Sequence, residues 1–314
     1  MHIPDGFLDA KVAAAAWLVS AAGVGAALRA ERRDAAPTSA GVLGSLAAFL
    51  FAAQMVNVPV APGVSGHLVG ATLAAALVGP WRGLIVMATV LAIQALLFQD
   101  GGIAAYGANL ADMGVVGAFV GYGVTRAVGA LVRGPRGLVA GAVCGAFVST
   151  VLAAALASLW LAFSGLYPLS GILPLMVSTH AAIGVLEAAL TGAVLATVVR
   201  WRPDLARGLA ARGPGAPRRG PATAVLGAAL LVAAFVAPLA STLPDGLEHT
   251  AHLLGFAGRE HPLVRAPMPG YTLGLKALLP VAPAAAGLVG TLAVAVLAWA
   301  LSRGLAGTRD DAHR

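Results

Sequence analysis

Residues 54–70 read QMVNVPVAPGVSGHLVG, and they lie between two apolar runs, 39–56 and 67–80. Two prolines and three glycines in seventeen positions break helical continuity, so the stretch predicts an irregular loop joining two helices. At membrane depth such backbone is tolerated where it is buried in protein or lines a cavity. The reading places His67 in the first turn of the following helix.

Working outward, the whole chain repeats the same apolar character. Its 314 residues are 59% apolar and 11% charged, with a mean hydropathy of +0.87. A soluble domain carries about 25% charged residues. The chain is therefore read as an integral membrane protein. A spanning helix needs about 20 apolar residues, and nine candidate spans follow: 10–28, 39–56, 67–80, 83–98, 109–131, 137–163, 176–199, 222–240 and 280–301. Spans 67–80 and 83–98 are short and meet at a tight turn, Gly79-Pro80-Trp81-Arg82. The predicted fold is all-α and polytopic: a seven-helix bundle, then a two-helix transmembrane hairpin with an external loop running from STLPDGLEHTAH to YTLGLKALL. The predicted domains are 1–200, a basic Gly/Pro-rich linker over 201–221, and 222–314. The single cysteine, Cys144, sits in an apolar run and reads as a packing residue.

Charge placement predicts orientation. With the N-terminus outside and the C-terminus inside, the inner segments hold 16 of the 20 basic residues; only Lys11, Arg259, Arg265 and Lys276 fall outside. The net charge of +7 is then a topology signal, and nucleic acid is not an expected partner. Asp5 and Asp9 stand where a signal peptide would carry basic residues, so Met1 and His2 are expected to remain at the terminus.

Ionisable groups near membrane spans are functional candidates. In this topology His2, Asp5, Asn57, Ser65, His67, Asp100, Asn109 and Asp112 gather at the outer ends of helices. His180 and Glu187, seven residues apart, share one helix face. The opening MHIPDGFLD (1–9) adds a specific chemistry. The Met1 amine, the amide nitrogen of residue 2 and the His2 imidazole can close fused five- and six-membered chelate rings. Three nitrogens in one plane favour Ni²⁺ and Cu²⁺. His67 is the natural fourth nitrogen, with Pro4-Asp5-Gly6 turning the terminus back into the bundle.

MHIPDGFL, the block Gln54-x-x-Asn57-x-Pro59-Val60 continuing to Gly63-x-Ser65-Gly66-His67-Leu68-x-Gly70, the loop FQDGGIAAYGAN (98–109) and the helix His180-x-x-x-Gly184-x-x-Glu187 resemble the CbiM/NikM family. The hairpin carrying LPDGLEHTA (243–251) resembles the PDGLE domain, a CbiN/NikN-like accessory element. The resemblance implies a substrate-capture (S) component of an energy-coupling-factor (ECF) ABC transporter in a prokaryotic cell membrane. It implies a metal site of Met1, His2 and His67, and an extra N-terminal helix on a six-helix core. Asn57, Ser65, Asp5, Asp100, Asn109, His180 and Glu187 become residues that support the site or its approach. The transported ion is Ni²⁺ or Co²⁺, with Met-His-Ile-Pro-Asp-Gly leaning to nickel. The chain contains no GxxxxGK[ST]. The implied partners are accordingly a CbiQ/NikQ-like transmembrane coupling subunit and CbiO/NikO-like cytoplasmic ATPases, and the chain itself is not expected to be an enzyme.

Two other classes compete. Gly63-Val64-Ser65-Gly66 matches the GxSG of rhomboid intramembrane proteases, with His180 as general base. A proton-coupled secondary carrier would use Glu187 or Asp112. Asp245, Glu248, Glu260, His249, His252 and His261 read as a solvated polar loop, with metal collection the sharper alternative. Ala40, Gly44, Ala48 and Ala52 form a small-residue stripe suited to close helix contact, either internal or with the coupling subunit.

Overall fold

The protein is described by a computed structural model covering residues 1–34, 38–132, 134–201, 222–272 and 282–312. The predicted linker, apart from Trp201, lies outside the described residues, as do Arg133, Lys276, His313 and Arg314. Among the described residues seven helices are long and apolar enough to cross a membrane: α1 (Ala10–Arg33), α4 (Pro80–Phe98), α5 (Tyr106–Leu131), α6 (Pro135–Phe163), α7 (Leu169–Trp201), α8 (Ala222–Leu239) and α10 (Ala282–Ala312). Two more are shorter, α2 (Ala40–Gln54) and α3 (Ala71–Val78). Helix α9 (Gly246–Leu254) lies in the loop between α8 and α10. The chain is an all-α, multi-pass membrane protein.

Nine spans were expected, with 67–80 and 83–98 the short ones, and α3 is shorter than its span. Its eight residues rise only about 12 Å, far short of a ~30 Å hydrocarbon core. The apolar run begins at residue 67, but the helix starts at Ala71, so His67 precedes the first turn and does not sit within it. The cause is local. Gly70 takes a left-handed φ of +77°, where a side chain would meet Leu50. The Val69 and Gly70 amides donate to the Glu187 carboxylate at 2.5 and 2.8 Å. Those donations hold the segment out of the helix.

The preceding loop is also more regular than expected. Strands β1 (Val58–Ala61) and β2 (Val64–Gly66) pair antiparallel, Val58 opposite Gly66, with a register irregularity between Pro59 and Ala61. Gly63 supplies the positive φ of +74° at the turn.

Small residues set the packing. Helix α6 buries Ala142, Ala146, Ala153, Ala154 and Ala157, and α7 lies along it. The stripe on α2 packs internally: Ala48 and Ala52 meet Ala229 and Ala233 of α8, and Gly44 lies against the Ala295 carbonyl of α10. At the far end of the bundle from the amino terminus, Arg82 Nε donates to Glu31 and its Nη2 to Asp34, both at 2.6 Å. Large apolar side chains such as Leu18, Leu131, Phe163, Val185 and Phe235 point outward, as a lipid-facing surface requires.

Candidate metal centre

The amino terminus is not a frayed end. Asn109, on α5, holds the Ile3 backbone from both sides: its Oδ1 accepts the Ile3 N–H at 2.7 Å and its Nδ2 donates to the Ile3 carbonyl at 3.0 Å. Gly102 donates a further amide to that carbonyl at 2.9 Å. Asp5 accepts the Ala104 N–H at 2.8 Å and the Leu263 N–H at 3.2 Å, and its carbonyl accepts from His261. Gly6, at φ +94°, lets the turn pass against the Arg259 carbonyl. These contacts bury Met1 and Ile3 and deliver His2 to the bundle interior.

The His2 and His67 rings stack with centroids 5.5 Å apart. The Nδ1 of His67 lies 3.1 Å from the Leu68 carbonyl. A carbonyl only accepts, so Nδ1 carries the proton and Nε2 keeps its lone pair for a metal. Burial, with the terminal ammonium and His2 nearby, takes the His67 pKa down to about 4, so the ring is neutral at physiological pH. His2 is likewise lowered, chiefly by burial and against the pull of Asp100. Its Nε2 lies 3.2 Å from Gln94 Oε1 and its Nδ1 3.2 Å from Asp100 Oδ1. A neutral imidazole has one N–H for two acceptors. With the proton on Nε2 toward Gln94, the Nδ1 lone pair faces a carboxylate, a pairing suited to a cation.

Supporting contacts run outward from these rings. Gln94 Nε2 donates to Gln54 Oε1 at 2.7 Å, and Gln54 Nε2 to the Val69 carbonyl at 2.7 Å. Asp100 Oδ2 accepts from the Tyr271 hydroxyl at 2.5 Å. Burial, and then Asp100, raise the Tyr271 pKa, so the hydroxyl stays a donor. On the remaining side the Met1 amine donates to Asp245 Oδ2. Burial pushes the Asp245 carboxyl up, but the ammonium beside it and the Glu248 amide outweigh that and hold it below the ordinary carboxylate range. Ligand atoms of His2, His67 and Asp245 all lie within 4.8 Å of one another, the one such cluster among the described residues.

Asp245 therefore leaves the class of solvated loop residues. Gln54, Gln94 and Tyr271 also carry contacts that sequence reasoning did not assign, and the PDGLE segment itself was the available signal for Asp245. His249, His252 and His261 stay outside the cluster. Asn57 presents its carbonyl to the Ser241 N–H at 2.8 Å.

The protease alternative meets a geometric obstacle. The Ser65 hydroxyl donates to the Leu243 carbonyl at 2.6 Å, while His180 Nδ1 pairs with the Met176 carbonyl at 2.8 Å and its Nε2 faces Gly246. No Ser65–His180 hydrogen bond occurs among the described residues. Glu187, offered as a proton site, uses both oxygens on the backbone beside His67. Asp112 accepts Trp160 Nε1–H at 2.9 Å and lines a small cavity with Met1, Thr72 and Ser149.

A multi-pass helical bundle that folds its own amino terminus inward and stacks His2 on a second neutral histidine belongs among membrane proteins that handle transition-metal ions. The comparisons with known proteins narrow this. Residues 2–205 match the CbiM family, described as the cobalt uptake substrate-specific transmembrane region, and residues 219–307 match the PDGLE domain. The chain belongs to the CbiM family. It is 38% identical over 308 residues to a protein of Archaeoglobus fulgidus provisionally named fused nickel transport protein NikMN, covering 96% of this chain and 98% of that one. It is 34% identical over 261 residues to the cobalt transport protein CbiM of Geobacter sulfurreducens, covering 78% and 72%. The solved structure of a truncated transition metal transporter matches with a TM-score of 0.57 at 33% identity, covering 64% of this chain and 99% of that one.

Proposed function

We propose that this protein is the substrate-capture component of an ATP-driven ECF-type importer of divalent transition metal, with nickel preferred and cobalt second. The ion is bound by the Met1 amine, the His2 amide nitrogen, His2 Nδ1 and His67 Nε2, in a plane that suits Ni²⁺. The observation that carries this reading is the convergence of His2 and His67, whose rings stack and lie within 4.8 Å of the Asp245 carboxylate that the Met1 amine touches. Gln94, Asn109 and Glu187 position the donors and Asp100 supplies negative charge, as supporting residues do around metal ligands. The relatives' names support the choice of ion class, and the fused nickel proteins support the lean to nickel.

Import against a gradient needs energy, and the sequence has no phosphate-binding loop of its own. A CbiQ/NikQ-like coupling subunit and CbiO/NikO-like ATPases supply it. The basic residues orient the chain with its N-terminus outside and its C-terminus in the cytoplasm. Residues 1–200 capture the ion, 201–221 form the linker, and 222–314 form the accessory domain.

The test is to block the amine. Protein carrying an acetyl cap or an N-terminal tag is expected to fold, insert and fail to retain Ni²⁺ in calorimetry. Retention equal to that of the free-amine protein refutes the site.

A further inference from the structure

The four-nitrogen plane leaves one member of the cluster without a role. Asp245 comes from the PDGLE portion, touches the Met1 amine, and has an oxygen within 4.8 Å of the donor nitrogens of both His2 and His67. Two donors on opposite sides of an ion with bonds of about 2.1 Å are about 4.2 Å apart. Adjacent donors on one ion are about 3.0 Å apart, so a contraction on the order of an ångström closes the carboxylate and the two rings on one ion.

We propose that Asp245 is a donor to the arriving ion: its carboxylate, the Met1 amine and the His2 and His67 rings form a provisional site of three nitrogens and one oxygen. The ion passes from it to the four-nitrogen plane. This inference rests on the proposed function and adds a step before it. In the first step the amine gives its proton to solvent, its hydrogen bond to Asp245 opens, and the ion exchanges water ligands for three nitrogens and one carboxylate oxygen. In the second, the bond to Asp245 breaks, a bond to the His2 amide nitrogen forms, and the amide proton leaves to solvent.

Three observations favour the order. A backbone amide becomes a donor only after giving up its proton, whereas a carboxylate and neutral imidazoles are ready. First-row divalent ions accept such mixed nitrogen and oxygen sets. The Asp245 side chain is 20% exposed, against 2% for Met1 and 6% for His2, so it is the donor that solution reaches first.

The carboxylate is also held in place. Its Oδ1 accepts the Glu248 N–H at 2.8 Å, capping α9. The Ser65 amide and hydroxyl bond the carbonyls of Pro244 and Leu243, and Gly246 packs on His180. The PDGLE segment is thus anchored directly over the centre.

The experiment is rapid-mixing loading of the full chain with Co²⁺ and with Ni²⁺, followed by absorbance, for wild type, Asp245→Asn, Asp245→Glu and His67→Ala. Asparagine keeps the α9 cap. Asp245→Asn is expected to load about tenfold more slowly, the lower end of what a charged, shaped site contributes to on-rate. Its final spectrum should remain that of wild type, and Asp245→Glu should recover most of the rate. A rate for Asp245→Asn equal to or above wild type overturns the inference; a faster rate would mark Asp245 as a plug that competes with the ion. His67→Ala separates the two readings. Loss of the final spectrum in that variant, with an unchanged rate in Asp245→Asn, refutes this step alone, whereas wild-type binding by His67→Ala refutes the four-nitrogen site itself.

Discussion

Replacing Asn109 by alanine tests whether docking of the amino terminus, rather than the chelate alone, determines affinity. Asn109 makes two hydrogen bonds to Ile3 in a site only 3% exposed. The Ile3 carbonyl keeps its bond from Gly102, but the Ile3 N–H loses its only partner among the described residues. An orphaned buried donor costs about 1–3 kcal/mol, and the second lost bond about 1 kcal/mol more. A docking penalty of about 2–4 kcal/mol corresponds to a ~30-fold or larger loss of affinity. The three terminal nitrogens are contiguous in sequence and survive undocking; His67 does not follow them. Calorimetry should therefore show weakened Ni²⁺ binding, and the absorption spectrum should shift toward a three-nitrogen complex completed by solvent. Asn109→Asp should be at least as damaging, because it sets a carboxylate oxygen against the Ile3 carbonyl. Affinity within threefold of wild type in both variants would refute the reasoning.

Two further predictions follow from the cover over the centre and from burial of the histidines. A side chain at Gly246 would lie 2.5 Å from His180 Cε1 and 2.8 Å from Nε2, so Gly246→Ala should lift α9 and make the 243–251 segment protease-sensitive while α1–α7 remain folded; an unchanged cleavage pattern in limited proteolysis contradicts the packing. His67 titrates near 4 in the folded protein against 6.5 ordinarily, so the unfolded chain binds more protons between those values. Stability of the metal-free protein should thus fall as pH drops from about 6.5 toward 4, by up to about 3 kcal/mol from this group. Thermal unfolding in detergent that is flat across that window would contradict it.

Much of the fold was legible because a membrane span leaves a long apolar record. The start of α3 was not, since Leu68 and Val69 are as apolar as the helix that follows, and what holds them out of it is Glu187, 118 residues away from Val69. His2 and His67 could be paired from chemistry alone: an amine, an amide and two imidazoles make one coherent ligand set. Asn109 and Asp100 were visible as polar residues at helix ends. Asp245 stood in the PDGLE motif, but its contact was not legible, because an acidic residue in a polar loop looks the same whether it faces water or an ammonium group. Gln94 escaped notice, and Gln54, though quoted as the first residue of its motif, received no role, for a related reason: uncharged amides inside an apolar run give no signal until their partners are known.

The small-residue face of α2 bears on how the accessory pair is kept in place. Ala48, Ala52 and Gly44 let α8 and α10 approach closely, but such contacts bring little polar recognition. As separate chains, two partners meeting through so plain a surface would depend on their abundance in the bilayer. A covalent connection makes the encounter intramolecular and removes that dependence. Fusion thus gives each pair of His2 and His67 its own Asp245 at fixed one-to-one stoichiometry, however few copies the cell makes.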